Sequence, residues 1–84
     1  MTISADSAVT LARLRADVAS GRVREIRKRS RLSQAEVAEA VGVTQPTVAD
    51  WEAGRKMPHG ERAARYADLL ARLEQAEQAE QEEQ

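Results

Sequence analysis

Two helix starts separated by a single glycine leave a chain few ways to fold, and Ser33–Gly54, SQAEVAEAVGVTQPTVADWEAG, contains both. Ser33 and Glu36 have the S-x-x-E spacing of a capping box, in which each side chain satisfies an amide that the first helical turn leaves without a partner. Val37, Ala38 and Val41 then share one face, and Gly42 follows where a left-handed residue ends a helix at little steric cost. Only Val43 separates that stop from Thr44, a capping residue, and from Pro46, whose missing amide is harmless in a first turn. This second helix is expected to end at Gly54, with Val48, Trp51 and Glu52 on one side and Gln45, Pro46, Ala49, Asp50 and Ala53 on the other. No residue between Glu39 and Asp50 is charged, although 32% of the chain is.

Two short helices need neighbours to bury their apolar faces. The chain's 84 residues bound it to one domain with a small core. Its apolar residues are mainly Ala, Val and Leu, with one Trp, one Tyr and no Phe, and no alternating β-branched run occurs, so the expected class is all-α. Ser7 can cap a first helix to about Ala19, with Leu11, Leu14 and Val18 at spacings of three and four. Gly21 stops it, and a second helix to Ser30 points Val23 and Ile26 inward. RKMPHG, Arg55–Gly60, is a loop by its Pro and Gly. The last helix begins near Gly60 or Glu61 on a stripe of Ala63, Tyr66, Ala67, Leu70 and Leu73. Beyond Leu73 only Ala76 and Ala79 interrupt Glu and Gln, and the helix is expected to fray into a solvated tail. The organisation that follows is an extra N-terminal helix over residues 1–20, a domain over 21–73 and an acidic tail over 74–84.

Composition excludes several kinds of chemistry. Without cysteine there is no disulfide framework or thiolate metal site, and one histidine, His59, cannot build an imidazole cluster, so no metal and no cofactor are expected. No nucleophile beside a base and no phosphate-cradling glycine loop is found, so the chain does not read as an enzyme. The N-terminus lacks a basic start before an apolar run, and no segment approaches eighteen apolar residues. A cytoplasmic location without membrane contact is the resulting expectation. The net charge of −1 conceals segregation: five of the fourteen acidic residues lie in 74–84, and six of the thirteen basic ones lie in Arg22–Arg31. Such a block fits a polyanion, although taken alone it also fits a solvated helix face.

Two helices reversed at a glycine, the second opening with small uncharged side chains, match the unit whose second helix enters the DNA major groove. Ala38 allows the axes to approach, Gly42 permits the reversal, and Val37, Val48 and Trp51 can meet in one core. On REIRKRSRLSQAEVAEAVGVTQPTVADWEAGRKMP, residues 22 to 70 resemble the Cro and lambda-repressor-like helix-turn-helix proteins, the xenobiotic-response-element family. The resemblance implies a compact bundle of about five helices, here with an extra N-terminal helix and an extended C-terminal one. It implies that Gln34 bonds a phosphate, that Gln45, Pro46 and Asp50 face base edges, that Thr47, Arg55 and Lys56 meet the backbone, and that Arg27 pairs with Glu52. Chemistry agrees at several of these positions. A glutamine can bond adenine N6 and N7 together, an aspartate can accept from cytosine N4, and a proline edge suits a thymine methyl.

Relatives commonly place glycine where this chain has Arg31; a left-handed Arg31 carries strain of roughly 1 to 2 kcal/mol, which a phosphate contact from its guanidinium would offset. The expected partner is a double-stranded DNA operator bound by a homodimer, at least on DNA. Dimer candidates are Leu11, Leu14 and Val18 of the first helix and Tyr66, Leu69, Leu70 and Leu73 of the last, with the first helix packed on its own domain as the slightly preferred reading. The implied function is a sequence-specific transcriptional regulator, of the phage Cro repressor type or a small bacterial regulator. The rival is an antitoxin that binds a toxin through its acidic tail and its own promoter through the same module.

Overall fold

The computed structural model describes residues 3–82, and among them every regular element is a helix: α1 (Ala5–Ser20), α2 (Arg22–Arg29), α3 (Gln34–Val41), α4 (Gln45–Glu52) and α5 (Gly60–Glu82). None of these is long and apolar enough to cross a membrane. The cap of α1 is Ser4 rather than Ser7. Ser4 lies in extended conformation and its hydroxyl accepts the Ser7 amide at 3.1 Å, which leaves Ser7 inside the first turn. Gly21, at φ 82°, ends α1 and begins α2 in a single left-handed residue.

At the end of α2, Arg31 takes the left-handed position that relatives give to glycine, with φ 59°. Its amide bonds the Lys28 carbonyl at 3.0 Å and the Leu32 amide bonds the Arg27 carbonyl at 3.2 Å, the paired closure of a Schellman turn. The geometry is a glycine's, made by an arginine. Ser33 and Glu36 then form both halves of the capping box, at 3.0 and 2.9 Å. Gly42, at φ 85°, closes α3, and a Cβ there would meet Arg65 Nη1 at 3.1 Å, so the reversal is tight for backbone and space alike. Arg65 also donates to the Val41 carbonyl at 3.4 Å, fastening α5 to the end of α3. Beyond the last turn of α4, the Arg55 amide bonds the Asp50 carbonyl at 2.9 Å.

One core joins all five helices. Val37, Ala38 and Val41 meet Val48 and Trp51 between α3 and α4, while Ala63, Tyr66 and Leu70 of α5 cover them and reach Val23 and Ile26. The Trp51 and Tyr66 rings lie 4.8 Å apart at 35°. Leu14 and Val18 of α1 are each 3% exposed, packed with α2 and α5. Four of the seven apolar residues considered for a dimer face, Leu14, Val18, Tyr66 and Leu70, are therefore core residues and cannot also form a face between copies. Leu11, Leu69 and Leu73 are half-buried against that core.

Beyond Leu73, where fraying was expected, the described residues are helical to Glu82, and the last two positions of the expected tail, 83–84, lie outside the described residues. Helix α5 continues to Glu82 because Glu, Gln and Ala are strong helix formers and because Glu74 and Glu77 find cations on α2. Arg22 pairs with Glu74, and Arg29 Nη1 lies 3.9 Å from Glu77.

Candidate nucleic-acid interface

The opening turn of α4 is exposed at Gln45 and Pro46 while Val48 and Trp51 behind it are buried. The helix is thus anchored by one side and free at its start. Thr44 caps it without a side-chain bond to the backbone; its hydroxyl pairs instead with that of Thr47 at 2.8 Å.

A continuous polar chain ties this start to the rest of the domain. Arg27 Nε lies 2.5 Å from Glu52 Oε2 and its Nη2 3.0 Å from Oε1, a two-point contact, while its Nη1 donates to the Leu32 carbonyl at 2.8 Å. Gln34 Nε2 donates to Glu52 Oε1 at 3.1 Å, and Gln45 Nε2 donates to Gln34 Oε1 at 2.6 Å. The carboxylate fixes every amide in this chain. Glu52 can only accept, so the Gln34 NH₂ must face it, the Gln34 carbonyl must face Gln45, and the Gln45 carbonyl is left free. Gln45 retains that oxygen and one N–H for an outside partner, the acceptor and donor that an adenine edge requires.

Electrostatics hold the anchor in its charged form. Burial pushes the Glu52 carboxyl upward, but hydrogen bonds from Arg27 and Gln34 and the charges of Arg27 and Arg24 outweigh it and hold the group below the ordinary carboxylate value. The hydrogen bond to Glu52 raises Arg27 in turn. Tyr66, behind the pair, has its hydroxyl pushed up, first by burial and then by the Glu52 charge. The Arg27 and Glu52 side chains are only 11% and 3% exposed.

The remaining residues group differently. Asp50, expected at a base edge, lies 3.1 Å from Arg55 Nε and 3.7 Å from Lys56 Nζ, so it is engaged by the two cations expected on the DNA backbone. These pairs are exposed and weak enough for phosphates to compete with them. Arg31 is exposed beside Ser33 and Gln34. Among the contacts that escaped sequence reasoning are the Gln34–Gln45 and Gln34–Glu52 bonds, the Arg27 bond to the Leu32 carbonyl and the Arg65 contact to Val41. The Gln34–Gln45 bond had a sequence signal, a glutamine opening each motif helix.

An exposed, uncharged helix start, braced by a second short helix across a left-handed glycine, defines the helix-turn-helix class of DNA-binding module. The family model described as helix-turn-helix matches residues 23–73, more than half of the chain, from α2 into α5. The chain belongs to that family, of the xenobiotic-response-element and lambda-repressor type, and is a DNA-binding transcription regulator of that type. No curated protein and no solved structure matches the chain. Helix α1 and the acidic end of α5 lie outside the family match.

Proposed function

We propose that the protein is a sequence-specific repressor that occupies a double-stranded operator as a symmetric pair and reads the major groove with α4. The observation that carries this reading is the free carbonyl and N–H of Gln45, aimed from an uncharged helix start by a bond to Gln34. Gln45 serves as the adenine reader, Pro46 as an apolar edge, and Asp50 as an acceptor for cytosine once Arg55 and Lys56 turn to phosphates. Gln34, Thr47, Arg31, Arg55 and Lys56 form the backbone-contacting set. With so few base contacts, affinity rests on phosphates and falls steeply with salt. A core already filled within one chain supports pairing that forms on DNA.

Selection of bound duplexes from a random pool tests the reading. The expected product is a two-fold symmetric site with half-sites about one helical turn, or a multiple of it, apart. Gln45→Ala should then cost roughly 1 to 3 kcal/mol on that site and relax the preference at one base pair. A pool without an enriched sequence, or an equal loss on every duplex, would contradict base reading by α4.

A further inference from the structure

The basic block Arg22–Arg31 is divided by its pairing. Arg22 and Arg29 are held by Glu74 and Glu77 of α5, and Arg27 is consumed by Glu52. Arg24, Lys28 and Arg31 form no side-chain ion pair or hydrogen bond among the described residues, and all three are exposed.

Helical geometry separates the two sets in space. At about 100° per residue, Arg24 and Lys28 lie within about 40° of each other, one turn apart, whereas Arg22 and Arg29 lie on the far side of α2. Arg24 sits one turn before Arg27 on the side nearest the end of α4, where its positive charge helps to hold Glu52 ionised. Arg31 follows the turn and directly precedes Leu32, Ser33 and Gln34, the start of α3. The three free cations therefore run from the end of the reading helix towards the opening of its brace.

Resting on the operator reading above, we infer that Arg24, Lys28 and Arg31 form a second phosphate-contact track, which meets the DNA backbone beside the reading helix. Arg22 and Arg29, on the far side of α2 beside the acidic end of α5, are excluded from it by position. From Arg24 to Lys28 the helix rises about 6 Å, and Arg31 follows beyond its end, so the track spans at least about two phosphates of one strand at 3.4 Å of axis each. The track explains how a chain with a net charge of −1 holds a polyanion: its acidic tail cancels cations on the face turned away from DNA and leaves the facing ones free.

The test is the salt dependence of duplex binding, measured on the full chain with the selected site and with a random duplex. Arg24→Gln/Lys28→Gln should lower the slope of log K against log salt by about 2, near 0.9 for each lost phosphate contact, and weaken both duplexes by the same factor. Arg22→Gln/Arg29→Gln should leave the slope unchanged. All four positions are exposed, and matching thermal melts verify that the variants fold. An unchanged slope in the first variant, or an equal fall in the second, would overturn the track while leaving the operator reading intact. A parent chain that prefers no sequence, yet loses slope on substitution of Arg24 and Lys28, would sink the operator reading and keep the track as a general DNA contact.

Discussion

Arg27→Ala strikes the most connected point of the domain. The substitution removes both donors from Glu52 and the Nη1 bond to the Leu32 carbonyl, and leaves a carboxylate that is 3% exposed with only Gln34 as a hydrogen-bond partner. Removing one member of a buried pair costs about 3 to 5 kcal/mol, because the charge left behind is desolvated without compensation. The lower end applies here, since Gln34 still donates and the Leu32 carbonyl is only half-buried. A loss of about 3 kcal/mol corresponds to a fall in Tm of about 12 to 24 °C for a domain of this size.

The pH dependence separates this cause from lost packing. In the parent, Glu52 titrates below its unfolded value, so its stabilisation is present above the ordinary carboxylate pKa and is lost as pH falls through the lowered folded one. In the variant, burial is opposed only by the Gln34 hydrogen bond and the Arg24 charge, so the folded value moves upward from that of the parent. Protonation then relieves the penalty, so the gap between parent and variant is widest near neutrality and narrows as pH falls into the carboxylate range. Urea denaturation followed by circular dichroism, near pH 7 and again near pH 4, measures both quantities. The double substitution Arg27→Met/Glu52→Leu should recover most of the loss, because an apolar pair leaves no buried charge. A gap below about 1 kcal/mol, constant with pH and not recovered by the double variant, would refute the buried-pair account.

Three other outcomes are expected. Arg31→Gly should raise stability by about 1 kcal/mol, as relief of left-handed strain exceeds the entropy glycine adds to the unfolded chain, while the salt slope of DNA binding falls by about 0.9; a lower Tm would contradict the strain. Arg55→Ala should weaken every duplex alike and also lower the slope by about 0.9, whereas a loss confined to one sequence would move Arg55 to the base-reading set. A chain ending at Leu73 should keep its site preference and salt slope and lose little stability by thermal melting, because the pairs made by Glu74 and Glu77 are exposed ones. A flattened slope in that chain would show that the tail supports the DNA face.

What the sequence revealed and what it hid differ by the range of the interaction that decides each feature. The capping box of Ser33 and Glu36 spans three residues and is legible as a spacing, and Gly42 is legible because its left-handed conformation is a local property. Ser4 and Ser7 are separated by the same interval, but which hydroxyl caps α1 depends on where the chain turns extended, and composition offers no preference. The helix beyond Leu73 is not legible in an apolar pattern that thins there, because the cation that pairs with Glu74 lies 52 positions earlier, on α2. The recognition residues divide along the same line. Family spacing identifies Gln34 and Gln45 by type and position, yet their bond exists only because α3 and α4 cross closely at the glycine turn. That crossing also decides what the two residues can do. Gln34 has its carbonyl and one N–H committed inside the protein, so the phosphate contact implied for it falls to its remaining N–H, and the aim of Gln45 depends on an ion pair whose members are 25 positions apart. Loss of Arg27 should therefore weaken discrimination at the Gln45 base pair even in solutions cold enough to keep the variant folded, an effect on sequence choice from a residue that touches no base.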